Sequence, residues 1–159
     1  MNTDSTLLVT YTGKEFNISS PSPRMINIAD IAQSLSNMCR FNGHIKEFYS
    51  VAEHCFHASY LVPDEIALEA LLHDAAEAYI SDVTEPVKNA IPLFRDLEQD
   101  IIRSVCSRYF CKYPLPEEVV VVDMQLRALE WSLLKEETYN PRQFEHGLPE
   151  GVQLYMWIS

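Results

Sequence analysis

Apolar residues recur at helical spacing through most of this chain, and the interruptions in that rhythm mark out its elements. The start is different. Leu7-Leu-Val-Thr-Tyr11 and Glu15-Phe-Asn-Ile18 alternate weakly around Thr12-Gly13-Lys14, which predicts a short β-hairpin, and Ser19-Ser-Pro-Ser-Pro23 follows as a connector. Ile28, Ile31, Ala32, Leu35 and Cys39 then trace one face of a first helix, with Asn27 as its cap and Arg40-Phe41-Asn42-Gly43 as its end. Ser50-Val-Ala-Glu53 is a capping box that opens a second helix to about Leu61. Pro63-Asp64 opens a third, expected to run unbroken to about Tyr79. A short fourth begins near Pro86, a residue suited to a first helical turn. A fifth covers Leu93 to about Tyr109, and a sixth runs from Pro116 to about Glu136. The fold class expected is all-α, an orthogonal helical bundle with a short N-terminal hairpin. It forms one domain over 1–159: hairpin and connector in 1–25, helical core in 26–136 and an unassigned tail in 137–159.

Three helices carry ligand-type side chains on their apolar stripes. His54 lies among Val51, Cys55, Ala58 and Leu61. His73 shares a face with Ile66 and Ala70, Asp74 borders that face, and Glu77 follows one turn later. Asp123 sits within the stripe Val119, Val122, Leu126 and Leu129. A carboxylate directed at a core is costly unless it is paired or bound to a metal. Singly, each residue has an ordinary reading: a hydrogen-bonded core histidine, or an Asp123 paired with Arg127 one turn on. Together, two imidazoles and two carboxylates suit a borderline transition metal, Zn, Mn, Co or Fe, with coordination positions left for water and substrate.

Composition narrows the picture further. With 47% hydrophobic residues and only 4 glycines in 159, the chain can fill a real core. A formal charge of −11 argues against coating a DNA or RNA duplex, which calls for a basic surface, but not against a small nucleotide held beside a cation. No apolar run is long enough for a membrane helix and the N-terminus lacks a signal pattern, so a cytoplasmic protein is expected. Cys39, Cys55, Cys106 and Cys111 form no C-x-x-C pair; the first three fall within helical patterns beside apolar neighbours, and buried free thiols are expected.

The order H…HD…D resembles the HD-domain metal-dependent phosphohydrolase superfamily. Tyr49-Ser-Val-Ala-Glu-His54 is similar to its first-ligand segment, and Leu71-Leu-His73-Asp74-Ala-Ala-Glu77 to its HD-x-x-E motif. Asp82-Val-Thr-Glu-Pro86-Val-Lys88 resembles the D-x-x-x-P-x-K segment of the small nucleotidase branch, and Arg40 sits where that branch has a phosphate-binding arginine. The resemblance implies that His54, His73, Asp74 and Asp123 hold the metal. Glu77 would orient or deprotonate a water, and Asp82 would position it, hold the leaving oxygen or bind an additional Mg²⁺. Arg40 and Lys88 would bind phosphate, while Phe41 either contacts base or sugar or packs in the core. His57, in H-x-x-H with His54, matches no family ligand and is expected to be structural. The resemblance further implies a homo-oligomer acting on a nucleotide. The first expectation is dATP cleaved to deoxyadenosine and triphosphate, as in small phage-type HD proteins. The alternatives are a 5′-deoxynucleotidase acting on monophosphates and a nucleotide-binding module without chemistry.

Overall fold

The computed structural model describes residues 6–135. The expected tail of 137–159, with His146, lies outside these residues. The described chain is mostly helical and begins with a two-stranded antiparallel hairpin, β1 (Leu7–Val9) and β2 (Glu15–Asn17), in which Leu8 faces Phe16. Gly13 in the turn has φ +80°, a conformation a side chain would strain. Phe16 is fully buried and stacks on Tyr79 with ring centroids 3.9 Å apart. Asp30 fastens the hairpin to the first helix. One carboxylate oxygen accepts from the Thr12 amide at 2.7 Å, and the other from the Thr10 and Thr12 hydroxyls at 2.9 and 3.0 Å.

Helix α1 (Ile28–Ser36) begins as its sequence predicts, with the Asn27 side chain accepting from the Ala29 amide. Its end is earlier than expected. Asn37 caps it, and Arg40–Gly43 is a separate 3₁₀ turn in which Phe41 and Asn42 adopt left-handed backbone (φ 55° at each). Cys39 is thus outside the helix, bridged to Ser50. Helix α2 (Val51–Tyr60) starts with the Ser50–Glu53 capping box intact.

The third expected helix is broken. A 3₁₀ turn (Asp64–Ile66) leads into α3 (Ala67–Leu71), and α4 (Glu77–Ile80) resumes after an interval of turns. Local chemistry explains the interruption. His73 Nδ1 donates to the Ala70 carbonyl at 2.7 Å, and the chain continues through i→i+3 bonds from Ala75 to Leu72 and from Glu77 to Asp74. In a regular helix adjacent side chains diverge by about 100°. The break lets His73 and Asp74 converge.

Helix α5 (Glu85–Ala90) has Pro86 in its first turn, α6 (Leu93–Tyr109) matches its predicted span, and α7 (Glu117–Leu134) carries Asp123. Helix α2 is the hub, packing against α1, α3 and α7. Two apolar clusters meet along it: Val51 and Cys55 join Ile31, Leu35, Ile101 and Val105, whereas Ala58 joins Ala70, Val119 and Leu126. Among the described residues no helix is long and apolar enough to cross a membrane.

Candidate metal centre

The four ligand-type residues converge. His54 Nε2 lies 3.2 Å from His73 Nε2, 3.1 Å from Asp123 Oδ1 and 3.7 Å from Asp74 Oδ2. His73 Nε2 lies 3.2 Å from Asp74 Oδ2 and 3.7 Å from Asp123 Oδ1. Ligands held about 2.1 Å from one centre stand about 3.0 Å apart at octahedral angles and about 3.4 Å apart at tetrahedral ones. The arrangement is therefore the size of a coordination shell.

Hydrogen bonding fixes which nitrogens face inward. His54 Nδ1 lies 2.8 Å from Glu130 Oε1, a carboxylate oxygen that accepts, and His73 Nδ1 lies 2.7 Å from the Ala70 carbonyl. Both Nδ1 atoms therefore carry hydrogen, and the two Nε2 atoms face each other at 3.2 Å, each beside a carboxylate oxygen. A metal cation there would take the place of the proton that the carboxylates otherwise draw to His73. Charge agrees with a divalent ion, because Asp74, Asp123 and Glu130 set against Arg40 leave a net −2. His54, His73 and Asp123 are positioned to hold a metal ion, with Asp74 3.2 Å from His73. Burial alone would raise the Asp74 and Asp123 carboxyls, but the two imidazoles hold both well below the usual range. His73 moves the other way: burial disfavours its charge, and the Asp74 and Asp123 carboxylates raise it well above an ordinary histidine. A thiol sits close by, since Cys55 Sγ with His73 and Asp74 forms a second group of ligand atoms within 4.8 Å of one another. Burial pushes that thiol up and keeps it protonated.

The site opens into a cavity of about 470 Å³, lined in part by Arg40, Phe41, Glu77, Asp82, Lys88 and Asp123. Glu77 is buried and its Oε2 has no partner; burial, with Asp74 and Asp82 nearby, raises it well above an ordinary glutamate. Asp82 follows Ser81, whose φ of 75° turns the chain out of α4, and burial raises its carboxyl against the pull of Arg40. Arg40 is buried, with Nη1 3.4 Å from Asp74 and Nε 3.2 Å from Glu130. Burial opposes its charge, and those two carboxylates keep it cationic. Lys88 sits beside the cavity but is held by Glu98 at 2.6 Å. Phe41 is half-buried, packs on the partly exposed Trp131 at 5.2 Å between centroids and lines the cavity, outside both apolar clusters.

All nine expected site residues are thus gathered around one cavity or its floor. His57 does not point at the ligand atoms, for its Nδ1 is 2.7 Å from the Tyr49 hydroxyl. Asp123 faces the histidines, while Arg127 lies 3.7 Å from Glu85. Sequence reasoning missed Glu130, Tyr49 and two further cations of the cavity wall, Arg95 and Arg127. Glu130 carried a readable signal: it falls seven residues after Asp123 and four after Leu126, on the same stripe of α7.

No family model matches the chain. It is 41% identical over 121 residues to the Escherichia coli protein YfdR, which bears the name "uncharacterized"; the match covers 76% of this chain and 68% of that one. It is 32% identical over 117 residues to an uncharacterized protein of Rhodobacter capsulatus, covering 67% of this chain and 60%, less than two thirds, of that relative. By its identity and coverage against the first of these, the chain belongs to the family of YfdR.

Proposed function

We propose that this chain is an HD-type, metal-dependent phosphohydrolase that acts on deoxynucleotides at the α-phosphorus. The observation that carries the reading is the junction of two features: two imidazole nitrogens 3.2 Å apart, each 3.1–3.7 Å from an Asp74 and an Asp123 oxygen, and a nucleotide-sized cavity beside them with an unpartnered buried carboxylate, Glu77, at its edge. His54, His73, Asp74 and Asp123 would hold Zn, Mn, Co or Fe, and such an ion supplies Lewis-acid polarisation of the phosphoryl group. Glu77 would accept the proton of the attacking water, a role for which a raised carboxylate is suited. Asp82 would orient that water or the leaving 5′ oxygen. Arg40, fixed from behind by Glu130, would present its free edge to the phosphate.

The first substrate class is a deoxynucleoside triphosphate, dATP being the first to assay, with nucleoside and intact triphosphate as products. Lys88, Arg95 and Arg127 along the cavity wall support it, since a monophosphate has no use for three cations beyond Arg40. A single observation favours a monophosphate instead: Lys88 is already engaged by Glu98, and Arg95 by Glu85, each at 2.6 Å. A panel of deoxynucleotides at mono-, di- and triphosphate level, supplied with Mn, Co or Zn and resolved by chromatography, separates the two. Nucleoside plus triphosphate is the result expected. Nucleoside from monophosphates alone establishes the second reading, and pyrophosphate or single phosphate as first product from dATP overturns attack at the α-phosphorus.

A further inference from the structure

We infer that Glu130 is a positioning residue with two duties: it sets the inward-facing nitrogen of His54 and it anchors the guanidinium of Arg40. The first duty stands on geometry alone, and the second rests on the phosphate-binding role given to Arg40 above. Glu130 is 0% exposed, deep on α7. Its Oε1 accepts from the Tyr49 hydroxyl at 2.7 Å and from His54 Nδ1 at 2.8 Å. Tyr49 has one hydrogen, which goes to Glu130, so His57 Nδ1 donates to the Tyr49 oxygen at 2.7 Å and leaves His57 Nε2 bare in the interior. That chain of bonds allows one hydrogen arrangement. Only an acceptor at position 130 leaves His54 Nε2 free to face His73, Asp74 and Asp123. A donor in its place would invert the imidazole tautomer and aim an N–H at the ligand cluster.

The second oxygen acts on a different group. Glu130 Oε2 lies 3.2 Å from Arg40 Nε as an ion pair outside hydrogen-bond alignment, and Arg40 Nη1 reaches Asp74 Oδ2 at 3.4 Å. The guanidinium is therefore held between a carboxylate behind the site and a carboxylate within it, with Arg40 also lining the cavity. One buried side chain thus couples the orientation of a ligand to that of the cation beside it.

Glu130→Gln separates the two duties. Its amide oxygen can still accept from His54 and Tyr49, whereas its amide N–H₂ confronts the Arg40 N–H groups. Calorimetric titration with Co²⁺ should find Glu130→Gln within about threefold of the parent, and the Co²⁺ absorption spectrum should keep its form. Inorganic phosphate binding to the metal-loaded protein should weaken at least tenfold, as it should in Arg40→Gln. Glu130→Leu, which can accept nothing, should lose Co²⁺ affinity by about 10–100-fold. Far-UV circular dichroism reports folding of each variant; if the leucine variant fails to fold, Glu130→Met, which also removes the oxygen acceptor, takes its place with the same loss of Co²⁺ affinity expected. A folded Glu130→Leu with parental Co²⁺ affinity overturns the first duty. Glu130→Gln with parental phosphate affinity, where Arg40→Gln has lost it, overturns the second. Failure of the hydrolase reading would look different: metal and phosphate bound as described, with no nucleotide turned over.

Discussion

The ligand cluster has two sides, and they are built on opposite principles. Behind it, Glu130, Tyr49, His54 and His57 are buried and joined in one hydrogen-bonded chain that admits a single arrangement. In front of it, Asp74 and Asp123 keep 19% and 25% of their side chains exposed, Glu77 Oε2 has no partner, and the wall cations share themselves with Glu85 and Glu98. A buried carboxylate left unpaired is costly, and polar groups left unfinished beside a cavity mark where a ligand completes them. The rear side fixes geometry through its own hydrogen bonds, and the front side leaves its polar groups facing the cavity.

The largest expected effects come from removing what joins the sides. Chelation should abolish hydrolysis, and Mn, Co or Zn should restore it; His73→Ala and Asp74→Ala should lose both metal and activity. Metal at about 100 times its dissociation constant should also stabilise the fold by about 2.7 kcal/mol, read as a rise in melting temperature. Full turnover by metal-stripped protein would collapse the distinction between the two sides altogether.

Next comes the front side alone. Glu77→Gln should leave metal binding intact and lower kcat by on the order of 10²–10⁴. Dialysed protein assayed for metal content settles the matter: a Glu77→Gln variant that purifies without metal makes Glu77 a ligand and not a base.

The same division explains what was readable in the sequence. The elements came through where period and caps agreed: Asn27, the Ser50–Glu53 box and the whole span of α6 were legible from local chemistry. The break at Leu72–Ala76 was not, because the stripe Ile66, Ala70, His73 continues across it, and the bond that redirects the chain is a side-chain one, from His73 to Ala70. The end of α1 was misplaced for a related reason. Cys39 keeps the helical spacing yet pairs with Ser50, a contact no local pattern announces. Of the site, the front-side residues were legible because their types and order are distinctive. On the rear side only His54 and a structural His57 were legible; the parts of Glu130 and Tyr49 show only once their partners are seen, and on the front wall Arg95 and Arg127 look like solvated helix charges.

A smaller effect tests the rear side by pH. Burial holds His57 down to about 4, with Glu130 offsetting only part of that shift. The unfolded chain takes up the proton near the ordinary value of about 6.5, so folded His57 resists a charge that unfolded His57 accepts. Stability is fully present above about pH 6.5 and is lost as pH falls toward 4, by up to about 3 kcal/mol. Urea denaturation at pH 7 and pH 4.5 should show a larger drop in the parent than in His57→Gln. Equal drops would mean that the rear chain does not keep His57 neutral.

The smallest effect probes the front wall, where Glu85 stands in for what we take to be substrate. It lies 2.6 Å from Arg95 and 3.7 Å from Arg127, and the Arg95 hydrogen bond lowers its carboxyl. All three side chains are well exposed, so the pairs are screened and worth less than about 1 kcal/mol to stability. Glu85→Gln should leave the melting temperature almost unchanged. It removes the negative charge that competes with a polyphosphate for the two guanidinium groups. The ratio of kcat/KM for dATP to that for dAMP should therefore rise about two- to fivefold, the worth of one screened pair, and the gain should shrink as salt is added. A monophosphate, reaching no farther than Arg40, has nothing to gain from freed cations at the wall. If the ratio stays put while Lys88→Ala lowers it, distal phosphates meet the inner wall and not Glu85's arginines. If neither substitution moves it, the wall serves folding alone and the monophosphate reading gains.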